Sequence, residues 1–298
     1  MNTIPTQSSL FDNTEEHNSA DVSDQDAKVI LHFPHPGIAE LILNHAEKYN
    51  AFDDQIIAQM IEKLAIAEAQ PDLKLLILRS TGKHFSSGAD LNWMKRMAKN
   101  SHQENLDDAN QLATLMQNLN CFSKPTLALV QGAAYGGAVG LAACCDIVIA
   151  TQSTRFCLSE VKIGLVPAVI SPYVIRAIGE RQARRYFLSA EIISSEQALD
   201  FGLVHEIVDD QQQLDDAAGR FIQQLSLNSP EAMSTAKKLI FAVSHKPIDE
   251  KVIDYTSHCI ADVRASEMGQ EGLDAFLNKR KASWIQPSNG TDKEKHNV

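Results

Sequence analysis

Two glycine-containing segments hold the residues of this sequence whose types and spacing could do chemistry. Residues 85–91 read FSSGADL and residues 132–138 read GAAYGGA, and each segment follows a run that is typical of a buried strand. Two such turns in one sheet can place backbone N–H groups side by side, and a helix that begins at Gly137 would add the positive end of its dipole. That arrangement binds an oxyanion. Two tight turns without chemistry are the alternative that these residues leave open.

Other catalytic signatures are absent from the sequence. It contains no GxxxxGK[ST] phosphate loop, no HExxH, no GxSxG and no CxxC, and residues 132–140 do not fit GxGxxG. An NTPase, a zinc protease and an α/β-hydrolase are therefore not supported. The 10 histidines form no cluster with ligand spacing, so we expect no bound metal.

The composition is that of a soluble globular protein. Of the 298 residues, 44% are hydrophobic and 22% are charged, and 27 Lys and Arg against 38 Asp and Glu give a formal charge of −11. Because nucleic-acid binding needs a basic surface, we expect no nucleic-acid partner. The 5 cysteines form no CxxC pair, and residues 1–26 lack the basic start and apolar core of a signal peptide. This predicts a cytoplasmic protein with a disordered tail over residues 1–26.

The elements that must position the two segments follow an α/β pattern, with parallel strands joined by crossover helices. Residues 126–150 are apolar over the length of a membrane span, but glycines interrupt the run, so we expect strand, turn, helix and strand, and no membrane partner. Apolar runs predict strands at 29–33, 38–43, 75–78, 126–131 and 147–150. Helical spacing predicts helices from Asp53 to Pro71, at 106–119 and at 137–144.

The last third of the sequence predicts helices only. These lie at roughly 211–227, 230–243, 247–263 and 267–279. The sequence thus divides into an α/β core at 27–210, a helical region at 211–286 and a polar tail at 287–298.

Three ordered segments carry a resemblance to a known family. HFSSGADL at 84–91, VQGAAYGGAVGLAACCDIVIA at 130–150 and FCLSEVKIGLVP at 156–167 resemble the crotonase family, the enoyl-CoA hydratase and isomerase superfamily, within a match over residues 28–285. The resemblance implies an α/β fold built as a crotonase-like spiral of ββα units, whose helical C-terminal region builds a homotrimer or a hexamer (a dimer of trimers). It also implies an acyl-CoA substrate, with coenzyme A as part of that substrate and no further cofactor.

The same resemblance assigns roles to individual residues. The oxyanion hole falls on the backbone N–H groups of Ala89 and Gly137, which would hold the thioester oxygen of an acyl-CoA as it becomes an enolate. The acid–base glutamate falls on Glu160, whose apolar neighbours favour the raised pKa that suits proton transfer near neutral pH. Contacts with coenzyme A fall on Lys48, Asn50, Ser87, Asp90, Leu91 and Lys279.

Position 140 departs from the pattern of ordinary enoyl-CoA hydratases. Their first catalytic glutamate would fall there, and this sequence has Gly140. One of the two carboxylates that share the activated water is therefore missing. A single glutamate at the position of Glu160 is typical of Δ3,Δ2-enoyl-CoA isomerases, in which one base carries a proton between two carbons.

A longer local match favours a hydratase. Residues 157–191 are similar to bacterial methylglutaconyl-CoA hydratases of leucine breakdown and to isohexenylglutaconyl-CoA (γ-carboxygeranoyl-CoA) hydratases of acyclic terpene breakdown, above all at PAVISP, residues 167–172. This predicts a hydro-lyase that adds water reversibly across the 2,3-double bond of 3-methylglutaconyl-CoA or an isohexenylglutaconyl-CoA. The candidates for binding the distal carboxylate of such a substrate are Arg155, Arg176, Arg184 and Arg185.

Two further expectations complete this interpretation. One helix over 92–119 would form a lid on the acyl pocket. An interaction protein that keeps the fold without its chemistry, including an RNA-binding one, is opposed by the charge of −11.

Overall fold

The computed structural model describes residues 27–285, so the predicted tails at 1–26 and 287–298 lie outside the described residues. The chain divides into two compact units, and the boundary lies between Ile222 and Gln223. This boundary falls inside the helix Gln211–Ser226, whereas the sequence analysis places it just before that helix.

A six-stranded sheet forms the framework of the first unit. Its first two strands pair antiparallel as a hairpin around Gly37, and the other neighbours are parallel, as the sequence predicts. In spatial order the strands are β1 (Val29–His35), β2 (Ile38–Leu43), β3 (Leu75–Ser80), β4 (Thr126–Val130), β6 (Ile147–Thr151) and β9 (Glu206–Val208).

A second, three-stranded sheet comprises β5 (Ala133–Tyr135), β7 (Arg155–Cys157) and β8 (Ile193–Ser194). The strand β5 is parallel to β7, which pairs antiparallel with β8. The predicted strand at 126–131, helix at 137–144 and strand at 147–150 are confirmed, and β5 is a short strand inside the glycine turn that periodicity does not show.

Seven α-helices of the described chain begin before residue 222. The first begins where the sequence predicts, because the carboxylate of Asp53 accepts a 2.8 Å hydrogen bond from the N–H of Ile56 and caps its first turn. Its face of Ile56, Met60 and Leu64 is buried in the core under the sheet. The helices are α1 (Asp54–Glu68), α2 (Leu91–Met97), α3 (His102–Asn120), α4 (Gly137–Cys144), α5 (Ser171–Ser189), α6 (Ser195–Phe201) and α7 (Gln211–Ser226).

The prediction of one helix over 92–119 is wrong, because the chain breaks between α2 and α3. The break is specified by a capping box at Ser101. The Ser101 hydroxyl accepts from the N–H of Glu104 at 3.3 Å, and the Glu104 carboxylate accepts from the N–H of Ser101 at 2.7 Å. These reciprocal bonds satisfy two N–H groups that a helix end leaves open.

The second unit is helical over its described residues, as predicted. It contains α8 (Pro230–Val243), α9 (Glu250–Ala265) and α10 (Glu267–Leu277), after the last turn of α7. Within residues 27–285 we find no helix with the length and apolar character that a membrane crossing requires.

Candidate active site

Two loops lie side by side after β3 and β4 and bring the two glycine segments together. The N–H of Phe85 donates to the carbonyl of Gln131 at 2.8 Å, the N–H of Ser86 donates to that of Ala133 at 3.0 Å, and the N–H of Tyr135 donates back to Ser86 at 3.0 Å. Further along, Gly88 has a φ of +96°, and a Cβ placed there would lie 3.3 Å from the carbonyl oxygen of Tyr135. The loops thus stay in contact up to the two predicted oxyanion donors.

The backbone N–H groups of Ala89 and Gly137 make no hydrogen bond within residues 27–285. Phe52 lies against both residues. Its N–H donates to Gly88 and its carbonyl accepts from Asp90, so its backbone brackets Ala89, while its ring lies 3.6 Å from where a Cβ on Gly137 would be. Since Gly137 is the first residue of α4, its N–H belongs to the positive end of that helix. Two free donors therefore lie near one another.

Ala89, Gly137 and Glu160 line one cavity of about 450 Å³. The remaining wall is mostly apolar and comes from Phe52 just before α1, from α1, α2 and α3, and from the segment 164–170 that precedes α5. Its apolar side chains include Phe52, Ile57, Trp93, Met97, Leu112, Leu165, Val166, Val169 and Ile170. The cavity can hold an acyl chain. The carbonyl oxygen of such a ligand would lie at the N–H groups of Ala89 and Gly137, and the carboxyl group of Glu160 would lie beside the ligand.

Glu160 begins a short 3-10 turn, Glu160–Ile163, after β7. Its Oε2 is buried without a hydrogen-bond partner in the described chain, and its Oε1 lies 3.3 Å from where a Cβ on Gly136 would be. Burial raises the pKa of Glu160 above the ordinary 4.5, and a bond from its own N–H acts in the opposite direction. A carboxyl group with a raised pKa beside two free donors can carry a proton.

The structure gives a steric reason for Gly140. A Cβ at this position would lie 2.3 Å from Cγ2 and 2.7 Å from Cβ of Ile170, and 3.2 Å from Sδ of Met116. Ile170 is only 2% exposed and also lines the cavity. The side chain of Ile170, which lies within PAVISP at residues 167–172, therefore fills the space that any residue larger than glycine would need at position 140.

The side chains of Asn50 and Asp90 are hydrogen-bonded within the protein. Asn50 accepts from the N–H of His45 and donates to the carbonyls of Thr81 and His84, each at 2.8 Å. The Asn50 amide is thus occupied by protein groups, and the predicted contact of Asn50 with coenzyme A stays a prediction. Asp90 caps α2 through the N–H groups of Asn92 and Trp93, and the bond from Trp93 is the main reason that its pKa is lowered.

The other predicted coenzyme A contacts have exposed side chains. Lys48 ends a short 3-10 helix, Ser87 lies on the loop before Ala89, and Leu91, which is 72% exposed, begins α2. Lys279 follows α10 in the second unit and has a φ of +54°. Their contacts with coenzyme A stay predictions.

The four candidate arginines are exposed and are not among the residues that line the cavity. Arg155 donates to the carbonyls of Gln152 and Thr154, and Arg185 pairs with Glu191. Over the described residues the lining includes no lysine or arginine. The expectation that one of these arginines binds a distal carboxylate is therefore not supported.

Sequence reasoning missed two polar residues of the cavity, Asn105 and Asp108. They occupy successive turns of α3, and Oδ2 of Asp108 accepts a long 3.4 Å hydrogen bond from Asn100. Their spacing of three residues, followed by Leu112 one turn later, is a signal that they share a helix face. The indole N–H of Trp93, in the same wall, has no partner within residues 27–285.

Comparisons with known proteins show the family and the fold. The family model described as enoyl-CoA hydratase/isomerase matches residues 35–287. An enoyl-CoA hydratase from Shewanella pealeana has a similar solved structure, with a TM-score of 0.85, 48% identity and coverage of 88% of this chain and 97% of that chain. The 2,3-dehydroadipyl-CoA hydratase of Escherichia coli K12 is 30% identical over 241 residues, covering 80% of this chain and 92% of its own. The mevalonyl-coenzyme A hydratase of Aspergillus fumigatus is 32% identical over 258 residues, covering 86% and 94%.

Proposed function

The chain belongs to the enoyl-CoA hydratase/isomerase family, and from this premise we propose that it adds water reversibly across the 2,3-double bond of an enoyl-CoA thioester. One observation carries the proposal: the free N–H groups of Ala89 and Gly137 and the carboxyl group of Glu160, whose Oε2 has no partner within residues 27–285, line the same mostly apolar cavity. This set supplies a site for the thioester oxygen and a group that exchanges protons, and the wall around it receives the acyl chain.

The two backbone donors would stabilise the charge that develops during addition. When water adds to C3 of the acyl group, electrons move through the double bond onto the thioester oxygen, and an enolate forms. Hydrogen bonds from Ala89 and Gly137 strengthen as this charge grows, which lowers the barrier. Removing one such donor costs about 2.7–4 kcal/mol in other enzymes.

Glu160 would carry the protons. Its carboxylate accepts a proton from the water as oxygen bonds to C3, and the same carboxyl group then delivers a proton to C2 of the enolate. Hydrogen and hydroxyl thus add on the side that faces Glu160, which gives syn hydration. The raised pKa of Glu160 makes both the acceptance and the delivery of a proton accessible near neutral pH.

A second candidate function is supported by the environment of Gly140. Ile170 occupies the space beside this glycine, so no carboxylate can replace the glutamate missing at position 140. Among the described residues that line the cavity, the carboxyl groups are those of Glu160 and, on α3, Asp108. One carboxyl group can move a proton between C2 and C4 of a 3-enoyl-CoA without help from water. A Δ3,Δ2-enoyl-CoA isomerase is therefore the alternative function, and the experiment must distinguish it from a hydratase.

For the acyl group, two observations point in different directions. The similarity of residues 157–191 to methylglutaconyl-CoA and isohexenylglutaconyl-CoA hydratases supports a substrate with a distal carboxylate. The described lining offers such a carboxylate the amide of Asn105 but no lysine or arginine, and Asp108 would repel it. We keep 3-methylglutaconyl-CoA as the first substrate to test and an uncharged 2-enoyl-CoA of similar size as its rival.

The decisive experiment follows thioester mass during incubation of purified protein with 3-methylglutaconyl-CoA, an uncharged 2-enoyl-CoA and a 3-enoyl-CoA. Glu160→Gln is the test variant. Glu180→Gln is the matched control, because Glu180 is an exposed glutamate of α5 that does not line the cavity.

Each outcome assigns the reaction. Gain of one water by a 2-enoyl-CoA, lost by about 10²-fold or more in Glu160→Gln and kept in Glu180→Gln, supports the hydratase. Migration of the 3-enoyl double bond without a mass change supports the isomerase. Neither reaction with any of the three thioesters, or equal rates in both variants, would remove the proposal.

A further inference from the structure

The ring of His84 extends the set of hydrogen bonds that joins the two loops of the candidate active site. Its Nδ1 accepts a 3.0 Å hydrogen bond from the N–H of Ala133, the first residue of β5. The next contacts along the loops are the backbone bonds between Ser86 and Ala133 and between Tyr135 and Ser86, both 3.0 Å. The N–H of Ala133 thus donates to the imidazole of His84 and not to a backbone carbonyl of the neighbouring loop.

His84 is held in place from several sides. Its carbonyl accepts from the amide of Asn50 at 2.8 Å and from the hydroxyl of Ser80 at 3.2 Å, and its ring meets Tyr49 edge to face, with centroids 5.3 Å apart. Gly132 has a φ of +60°, and a Cβ there would lie 2.6 Å from Nδ1 of His84. The chain therefore has glycine where the ring approaches the backbone of the second loop.

We propose that His84, as a neutral imidazole, is a positioning residue for the oxyanion site, since its bond to Ala133 fixes the two loops that carry the free N–H groups of Ala89 and Gly137. The proposal rests on the proposed function, because it assigns His84 to the same site. His84 precedes Ala89 by five residues and Ala133 precedes Gly137 by four, so a shift of either loop at this bond moves the donors apart.

The bond requires one protonation state of the ring. Nδ1 must be unprotonated to accept from Ala133, so the proton of neutral His84 is on Nε2. Protonation of Nδ1 would place an N–H donor of the ring against the N–H donor of Ala133, and the hydrogen bond would be lost. Burial and the charge of the adjacent Lys83 lower the pKa of His84, and the ring also faces the phenol ring of Tyr49. The bond is therefore intact at neutral pH and is lost only as the pH falls through that lowered value.

Two variants separate the acceptor from the ring. His84→Asn places Oδ1 where Nδ1 lies and keeps an acceptor that does not titrate, but it removes the ring. His84→Phe keeps a ring against Tyr49 but has no acceptor. We expect His84→Phe to lower kcat by about tenfold or more, with KM changed by less than about threefold, and His84→Asn to stay within about threefold of the parent protein.

The test also needs a readout that does not depend on turnover. The first is amide hydrogen exchange over residues 133–137, which should speed up in His84→Phe and stay slow in His84→Asn. The second is binding of the acetoacetyl-CoA enolate, followed by its ultraviolet absorption in a Glu160→Gln background so that Glu160 does not titrate. Enolate binding should weaken at low pH with His84 present, relative to the same protein carrying His84→Asn.

The outcomes keep this proposal apart from the proposed function. Fast exchange in His84→Phe alone, with loss of kcat or of enolate binding, supports the positioning role. Equal losses in the two variants would show that the ring matters for packing, and no change in exchange in either would show that the bond does not hold the loops; both results overturn the proposal. If the parent protein neither turns over thioesters nor binds the enolate, the proposed function fails, and the exchange data still decide whether His84 fixes the loops.

Discussion

Glu160 is partly buried, and the fold buries its Oε2 without giving this oxygen a partner within residues 27–285. Because burial raises its pKa, the folded protein binds this proton more tightly than the unfolded chain does. The resulting stability is fully present below the unfolded pKa of about 4.3 and is lost as the pH rises through the raised value in the folded protein. At neutral pH the carboxylate therefore lowers the free energy of unfolding.

Glu160→Gln should consequently stabilise the protein while it removes activity. We expect a gain of about 1 kcal/mol in the free energy of unfolding near neutral pH, shrinking as the pH falls towards about 4. Thermal unfolding of the parent protein, Glu160→Gln and Glu180→Gln across this pH range measures the effect. A gain of the same size in both variants, or one that does not depend on pH, would contradict the conclusion that burial raises the pKa of Glu160.

Gly140 is the second residue whose environment makes a sharp prediction. A Cβ at this position would lie 2.3 Å from Cγ2 of Ile170, so we expect Gly140→Ala to cost about 1–3 kcal/mol of stability through overpacking. Gly219→Ala in α7 is the matched control, since a Cβ there meets nothing within 4 Å. It should be neutral or stabilising by about 0.4–1 kcal/mol.

Chemical denaturation of these two variants, and of Gly140→Ala combined with Ile170→Ala, measures the clash. The double variant should lose less stability than the sum of the two single losses, because removing Cγ2 of Ile170 makes room for part of the new methyl group. Additive losses would mean that Ile170 is not what keeps position 140 small.

At the scale of elements, Asp90 links a helix start to the wall of the cavity. Its carboxylate caps α2 through Asn92 and Trp93, and Trp93 lines the cavity. Asp90→Ala should therefore cost about 1 kcal/mol, whereas Asp90→Asn should stay close to the parent protein, because asparagine caps equally well. Denaturant titration of both variants near neutral pH tests this.

The pH dependence of the Asp90 cap has a defined sign. The bond from the N–H of Trp93 is the main cause that lowers the pKa of Asp90, so the stability it provides is present above the unfolded value of about 3.9 and is lost as the pH falls through the lowered one. A difference between parent protein and Asp90→Ala that persists at pH values well below the folded pKa would argue against the cap.

Local signals made much of this fold predictable from the sequence. Asp53 before a run of helically spaced apolar residues gave the start of α1, and the glycines from Gly132 to Gly137 gave the turn between β4 and α4. The break between α2 and α3 was equally local, since Ser101 and Glu104 have the spacing of a capping box. A helix that continued through this segment is excluded by the cap, which decides where α3 begins.

Interactions between distant residues could not be predicted. Asn50 bonds to Thr81 and His84, which are 31 and 34 residues away, so its role as a link between loops has no signature in the sequence nearby. Likewise, the contact between Gly140 and Ile170 joins α4 to the segment before α5, and only the packed structure shows which side chain fills the place of the missing one.

At the scale of the whole molecule, the described second unit has several large apolar side chains that are mostly exposed to solvent. Ile248 is 87% exposed, Phe276 is 80% exposed and Leu277 is 74% exposed. Exposed apolar surface of this kind marks an interface, and the family resemblance implies a trimer or a hexamer. We therefore expect the protein to have the native mass of three or six chains, with α10 contributing to the contact between copies.

Native mass spectrometry of two single variants tests this expectation. Phe276→Asp places a charge on α10, whereas Leu188→Asp places one at a side chain of α5 that is 78% exposed, nearly as much as the 80% of Phe276. Because a buried, unpaired charge is costly at an interface, Phe276→Asp should shift the protein towards single chains, and Leu188→Asp should leave the assembly intact. A parent protein that is a single chain at micromolar concentration would remove the expectation of an oligomer. Equal dissociation by both variants would contradict the assignment of the contact to α10. A charge at Leu188 in the first unit would then weaken the assembly as much as a charge at Phe276.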